Sequence, residues 1–493
     1  MAYDLVLRDA CVVDGTGASP VVADVAIRGD RVAALGRVTG PATIEIDARG
    51  MIAAPGFIDV HTHDDRLVLL DPAVGPKVSQ GVTTVVTGNC GISLAPMTRA
   101  GEPVPPLTLL GGRRDLFQAS FAAYAAAVRG APPAVNVVPF VGHSALRACA
   151  VADLGRAATG AEIEAMGRLL DEAMAAGAFG MSTGLYYPPA QAASPAEVEA
   201  LLARVATAGG LQTTHLRDEG DGLIEALDEA IGSARRGGLP LVVSHVKCAA
   251  PRMWGRAAEV LARIDAAAAH QEIAFDVYPY EASSTMLRPD RLRGARRVVV
   301  SWSDTHPELA GQDLDAIAGC WCCSPEEAAH RLSPGGAIYY KMQERDVRRI
   351  LAHPGAMIGS DGLPHDQHPH PRLWGTFPRV LGHYVRELKL MGLPEAVRRM
   401  TALPAAVFGL ADRGVLAEGM LADVTLFDAD LVLDEATYDA PTRPARGIRL
   451  VLVNGEPVWE DGAATGRRPG RLLRREPALT RSGRRPAHPA PAA

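Results

Sequence analysis

The stretch GFIDVHTHDD, residues 56–65, is an apolar run that ends in two histidines, His61 and His63, followed by Asp64 and Asp65. Side chains two apart on a strand point to the same face, so both imidazoles leave the strand end together. Other strand-like runs carry a reactive residue at the same place. Cys90 follows GVTTVVTGN (81–89), His215 lies at the end of LQTTHL (211–216), His245 near the end of LPLVVSHV (239–246), and Asp361 closes AMIGSD (356–361). With AVNVVPFVG (134–142), AFGMST (178–183) and EIAFDVYPY (272–280) there are at least seven candidate strands. Helical patterns separate them. Thr159 and Glu162 form a capping box ahead of Ile163, Met166, Leu169 and Leu170, Ser194-Pro195 opens the next helix, and a third covers 222–236. Strands alternating with such helices over about 350 residues predict an α/β fold, a TIM-like (β/α)8 barrel rather than an open sheet.

In such a barrel the C-terminal strand ends meet at one mouth, where these folds carry their sites. Taken singly, a strand-end histidine is a hydrogen-bonded polar residue and a lone cysteine a small buried hydrophobe. Together, His61, His63, Cys90, His215, His245 and Asp361 predict a metal centre. His143 also ends a strand and reads equally as a hydrogen-bonding residue behind the ligands. His365, His368 and His370 follow Asp361 on a Pro-rich loop and are read as shaping it. Cys320, Cys322 and Cys323 lack a partner quartet at finger-like spacing, so packing is preferred to a second zinc site.

The two ends of the chain read alike. YDLVLRDACVVD (3–14) alternates, 24–35 pairs around Gly29-Asp30, 448–459 pairs around Asn454-Gly455, and 415–428 suggests a further β pair. One β-sandwich domain built from residues 1–54 and 414–470 is therefore expected beside a catalytic barrel over 55–413. Residues 286–350, rich in arginine and without βα rhythm, are read as an inserted lid, and 471–493 as a disordered basic tail.

Composition bounds the partners. The 493 residues are 48% hydrophobic and 22% charged, with a net charge of −6, which gives no reason to expect nucleic acid or an anionic membrane. No apolar run reaches the ~18 residues of a membrane span, and the N-terminus lacks a signal-peptide pattern. Seven cysteines in so long a chain read as reduced thiols or ligands. A soluble cytoplasmic protein acting on a small molecule is expected.

Beyond GFIDVHTHDD, the segments TGNCGISLAP (87–96), THLRDE (214–219), SHVKCA (244–249), DVYPYEASSTML (276–287) and GSDGLPHDQHPHPRLWGTF (359–377) resemble the N-acyl-D-amino-acid deacylases (D-aminoacylases) of the amidohydrolase superfamily. The similarity runs from about residue 1 to 470. It implies zinc-dependent hydrolysis of N-acyl-D-amino acids, with a cysteine in place of the bridging carboxylated lysine of many superfamily members. Carried over by position, Cys90, His215 and His245 hold a tight zinc, His61 and His63 a weaker second metal, and Asp361 is the acid/base. Lys247, Tyr278 and Arg372 grip the substrate's α-carboxylate, Ser284 lines the same pocket, and Tyr339 and Met342 belong to the lid over the substrate side chain. Val246 departs from the family pattern, where a second histidine is common.

Three protein ligands leave zinc a fourth position for water and lower that water's pKa toward about 7. Asp361 can take the water's proton and later deliver it to the leaving amine. Arg372 can clamp a carboxylate bidentately, or instead tie its loop to the lid. Two other readings stand beside this one. A cyclic-amide hydrolase of the dihydropyrimidinase or hydantoinase kind normally needs the bridging lysine, and a non-catalytic zinc-binding barrel scaffold has no use for Asp361.

Overall fold

The computed structural model describes residues 2–98, 102–111 and 114–475. Among them, eight parallel strands close a barrel. Phe57–Asp59, Val82–Thr87 and Asn136–Pro139 pair in order, and Val141–Gly142, Gly180–Gly184, Leu211–His215, Leu241–Val243, Ile273–Val277 and Ala356–Ile358 pair in order. Phe140 interrupts one strand, so Asn136–Pro139 and Val141–Gly142 are its two halves. The seams are backbone hydrogen bonds: Phe179 N donates to Pro139 O at 2.9 Å, and Asp361 N donates to His61 O at 2.7 Å. The second seam joins the first strand to the last and brings their ends to the same rim.

Local chemistry explains the outer helices. Gly160–Ala176 starts on the full Thr159–Glu162 capping box and stops at Gly177, whose φ of 109° only glycine adopts at little cost. Pro195–Thr207 is capped by Ser194, with Pro195 where the missing N–H costs nothing. Leu223–Gly237 buries Leu223, Leu227 and Ala234 against the barrel. Inside, Ile58, Val86, Val138, Phe140, Phe179, Leu211, Val242 and Met357 form one buried cluster. The barrel is filled with side chains, and only the rim is open to chemistry.

Residues from both ends form one continuous sheet of nine strands, in which Tyr3–Val12 pairs with Val21–Arg28 on one edge. Along its other edge it pairs with Ala42–Asp47 over its first half and with Ile52–Pro55 over its second. Ile52–Pro55 then pairs with Val424–Phe427, which ties the C-terminal strands to the N-terminal ones. The hairpin Ile448–Val453/Glu456–Glu460 turns at Asn454 and Gly455, with φ of 48° and 84°. That turn matches the twist of the flanking strands.

Three expectations need correction. Residues 415–428 supply one strand, Val424–Phe427, because 417–420 form a turn and Leu421 makes only an isolated bridge to Arg31. The insertion is an antiparallel sheet of Ala282–Met286, Gly335–Tyr340 and Val298–Ser303 with helices Leu314–Cys320 and Pro325–Arg331. It starts four residues earlier than expected and ends sooner, since helix Glu344–Leu351 lies against Ala257–Ala268 and strand Ile273–Val277. The third concerns the tail. Leu472 bridges Val137 and Leu473 N donates to Val137 O at 2.8 Å, so residues 471–475 are docked. The two leucines give this basic segment something apolar to bury. Residues 476–493 lie outside the described residues.

Candidate metal centre and active site

The strand ends deliver their side chains to one place. Cys90, His245 and Asp361 each sit just past a strand with positive φ, at 56°, 36° and 51°. This backbone is uncommon for residues with a Cβ and clusters at functional sites, where the surrounding structure holds it. Neighbouring glycines allow the close approach. A Cβ at Gly184 would lie 2.0 Å from the Cys90 carbonyl oxygen, and one at Gly359 would lie 2.6 Å from the His61 Cβ.

Cys90 is the hub. Its Sγ lies 3.2 Å from His61 Nε2 and 3.3 Å from His245 Nε2. Burial alone would raise the thiol's pKa, but the facing imidazoles of His61 and His245 hold it well below the ordinary value. Asp361 Oδ1 lies 3.5 Å from His61 Nε2 and 3.3 Å from His63 Nε2. Burial would also raise the Asp361 carboxyl, yet Arg372 and the imidazoles keep it well below the usual range. His61, Cys90, His245 and Asp361 form one group whose donor atoms lie within 4.8 Å of one another, and His215, Glu219 and His245 form another. The His215 and His245 rings are 4.5 Å apart between centroids.

These residues fit a metal ion. Both ring nitrogens of His215 are buried without a hydrogen-bond partner, a costly state that a coordinated cation relieves. One thiolate and several imidazoles form the donor set zinc prefers. Carboxylates behind the rings aim them. Asp276 Oδ2 is 3.4 Å from His61 Nδ1 while its Oδ1 accepts from His245 N at 2.9 Å. Glu219 Oε1 is 2.9 Å from His245 Nδ1.

A cavity of about 310 Å³ opens on this cluster, lined by His63, Leu109, Tyr187, His215, Glu219, His245, Lys247, Ser283, Ser284, Thr285, Arg291, Asp361 and Leu363. Lys247 Nζ is ion-paired with Glu219 and lies 2.8 Å from His245 Nδ1. Arg372 is fully buried, with Nη1 2.8 Å from Asp361 Oδ2 and Nη2 donating to Ser284 O at 3.1 Å. It thus faces the site and also ties its loop to the inserted sheet. Its guanidinium lies 4.6 Å from the Tyr278 ring centroid, and Lys247 lies 5.6 Å from the same ring.

Other expected residues lie elsewhere. Tyr339 is buried under the inserted sheet, its hydroxyl donating to Met286 O and accepting from Arg288 N, and Met342 lines a separate cavity of about 250 Å³ shared with Val246, Tyr278 and Tyr280. Neither lines the main cavity, because Tyr339 packs into the core of the inserted sheet and Met342 lies beyond the end of strand Gly335–Tyr340. His143 lies 3.0 Å from Glu197 and apart from both donor groups. His368 and His370 face the carbonyls of Tyr438 and Ala282 and shape their loop. Cys323 packs against the core of the insertion as expected, whereas Cys320 and Cys322 are exposed.

Sequence reading missed Glu219, Asp276, Tyr187 and Arg291. Asp276 left a signal, a carboxylate inside the apolar strand AFDV. Glu219 sits in a loop and Arg291 ends the single 3-10 turn Pro289–Arg291, and neither is long enough for periodicity to show which way a side chain faces.

Comparison with known proteins agrees with this geometry. Residues 45–459 match the Amidohydrolase family. The chain is 49% identical to a D-aminoacylase of Alcaligenes xylosoxydans xylosoxydans over 474 residues, covering 96% of this chain and 98% of the relative. An N-acyl-D-glutamate deacylase of the same organism is 50% identical over 478 residues, covering 97% of each. The crystal structure of an N-acyl-D-glutamate deacylase from Bordetella bronchiseptica, complexed with zinc and a phosphonate mimic of the tetrahedral intermediate, superposes with a TM-score of 0.93. It is 48% identical and covers 96% of this chain and 100% of its own. With its barrel, its cysteine-centred donor cluster and these full-length relatives, the chain belongs to the amidohydrolase family, in the branch of the N-acyl-D-amino-acid deacylases.

Proposed function

We propose that the protein hydrolyses the linear amide of N-acyl-D-amino acids to a carboxylate and a free D-amino acid, with zinc as its cofactor. The observation that carries this reading is the convergence of Cys90, His61, His245 and Asp361 in one buried cluster, of which His245 and Asp361 line a cavity that also holds the buried cations Lys247 and Arg291. When bound to Cys90, His215 and His245, with His61 and His63 beside them, zinc supplies an activated water and polarises the scissile carbonyl. Asp361, held ionised, accepts the proton of the attacking water. The water oxygen joins the acyl carbon, the C–N bond breaks, and Asp361 hands its proton to the departing amine. Arg372 and Lys247 meet the α-carboxylate, with Tyr278 and Ser284 beside them. The cations and hydroxyls that line the cavity suit a small anionic substrate.

One feature favours an acidic substrate side chain. Arg291 is buried in the cavity wall over Tyr186, at 4.4 Å, and no carboxylate among the described residues forms an ion pair with it. A desolvated cation without a counter-charge is costly, and a substrate carboxylate would relieve that cost. The free state of all seven cysteines fits a reducing, cytoplasmic compartment, and no described helix is long and apolar enough to cross a membrane.

The test is a panel of N-acetyl amino acids of both hands, with methionine, glutamate and aspartate side chains, assayed with and without added zinc. Turnover confined to D-substrates is expected. Turnover of hydantoin or dihydrouracil instead would replace this reading with the cyclic-amide one, and zinc without any turnover would leave a scaffold.

A further inference from the structure

Building on the reading of Asp361 as the acid/base, we infer that Lys77 is a positioning residue that fixes the place of that carboxylate through Ser360. Lys77 lies in the four-residue helix Gly75–Val78, fully buried and outside the lining of the main cavity. Its ammonium donates to Asp59 Oδ2 at 2.8 Å and to Ser360 Oγ at 2.7 Å, and it lies 3.4 Å from Asp64 Oδ2. Asp59 ends the strand that leads to His61, Asp64 follows His63, and Ser360 precedes Asp361. One cation thus ties the first barrel strand to the segment that follows the last.

An ammonium has three N–H groups and no lone pair, and three acceptors surround this one. The two carboxylates suffice to balance its charge, so charge balance alone leaves the bond to Ser360 without a purpose. The serine hydroxyl has to accept from the ammonium, which turns its own proton toward His61 O at 3.4 Å. Its other lone pair accepts from Gly362 N at 3.3 Å, and Ser360 N donates to Asp59 Oδ1 at 2.8 Å. Residues on both sides of Asp361 are held in this way, and its own N–H donates to His61 O at 2.7 Å. Asp361 needs the hold. Its φ is 51°, a conformation that a residue with a Cβ keeps only when its surroundings impose it. That backbone places the carboxylate 3.5 Å from His61 Nε2 and 3.3 Å from His63 Nε2. Without the ammonium, the Ser360 hydroxyl is free to turn, and the segment can relax to an ordinary backbone that carries the carboxylate away.

The experiment compares Lys77→Met with wild type in the full-length protein as purified. The variant's kcat should fall about 10²-fold, the usual cost of misplacing a reacting group by about 1 Å, while KM and bound zinc stay near wild type. Without substrate, amide exchange over 359–362 should speed up relative to the hairpin over 448–460, which a uniform loss of stability does not produce. Adding Asp59→Asn removes a stranded carboxylate and keeps the acceptor for Ser360 N. That double variant should recover melting temperature and leave kcat low. Recovery of both would make Lys77 a charge-balancing residue and overturn the inference. Ser360→Ala should lower kcat by a similar factor and add little to Lys77→Met, since both cut the same link. Wild-type kcat in either single variant, or losses that multiply, overturns the inference as well. If Lys77→Met does not fold, Ser360→Ala decides alone, and wild-type exchange over 359–362 in that variant is the overturning result. A protein that shows the exchange pattern yet deacylates nothing keeps the clamp and loses the proposed reaction.

Discussion

Arg372 Nη1 lies 2.8 Å from Asp361 Oδ2, so the cation proposed to hold the substrate and the carboxylate proposed to move the proton are partners before any substrate arrives. Both are buried, so neither charge can fall back on bulk water. Removing one member of such a pair costs about 3–5 kcal/mol. Arg372→Ala should therefore raise KM and also lower kcat, reducing kcat/KM by about 10² or more. Arg372→Lys should restore little, since a point charge cannot reach both partners. Steady-state kinetics separate the roles. An unchanged kcat with a raised KM would leave the Asp361 contact without a part in turnover.

Cys90→Ala removes the donor on which His61 and His245 converge. Zinc content and activity should be lost together, read by metal analysis of dialysed protein. A fully metallated, active variant would exclude this donor set.

Asp361→Asn keeps the shape and removes the base. Zinc should remain bound while kcat falls about 10²–10⁴-fold, the usual contribution of a positioned acid/base. An unchanged kcat would place the base elsewhere.

Arg291→Leu replaces the cavity cation with a shorter, uncharged apolar group. Turnover of N-acetyl-D-glutamate should fall relative to N-acetyl-D-methionine, by about tenfold or more for a lost charge-assisted contact. The same ratio in both proteins would take Arg291 out of substrate selection.

Stability should fall with acid through the cluster of His143, Arg147 and Glu197. Burial would raise Glu197, but His143 and Arg147 bring it down from 4.5 to about 2. Burial lowers His143 from 6.5, with Glu197 opposing. Both groups bind protons more readily in the unfolded chain, so their contribution is full above about pH 6.5 and lost below it. The His143 part goes first, and the Glu197 part between 4.5 and about 2. Melting temperature of metal-stripped protein against pH should fall in this range, with a shallower slope in Glu197→Gln. Equal slopes would exclude Glu197 as a source.

The barrel was legible because its strands and helices are regular. The Thr159–Glu162 box, the Asn454-Gly455 turn and the runs ending in His61, His215 and Asp361 each carry a local signal that the structure reproduces. The apolar run over 134–142 predicts one continuous strand, and composition carries no mark of its break at Phe140. The lid was placed only roughly, because short antiparallel strands and seven-residue helices leave weak periodicity. Tyr339 shows the consequence, since one residue of register decides which face a strand residue takes.

The amino-acid sequence by itself determined the class of fold and the set of residues able to hold a metal. Both follow from short-range rules: hydrophobic period, caps, turns and the type of residue at each strand end. The tertiary structure decided the pairings. That Cys90 meets His61 and His245, that Arg372 turns to Asp361, and that Glu219 joins Lys247 and His245 in one buried cluster depend on strands far apart in the chain being brought edge to edge. Barrel closure sets those distances, and no local pattern encodes it.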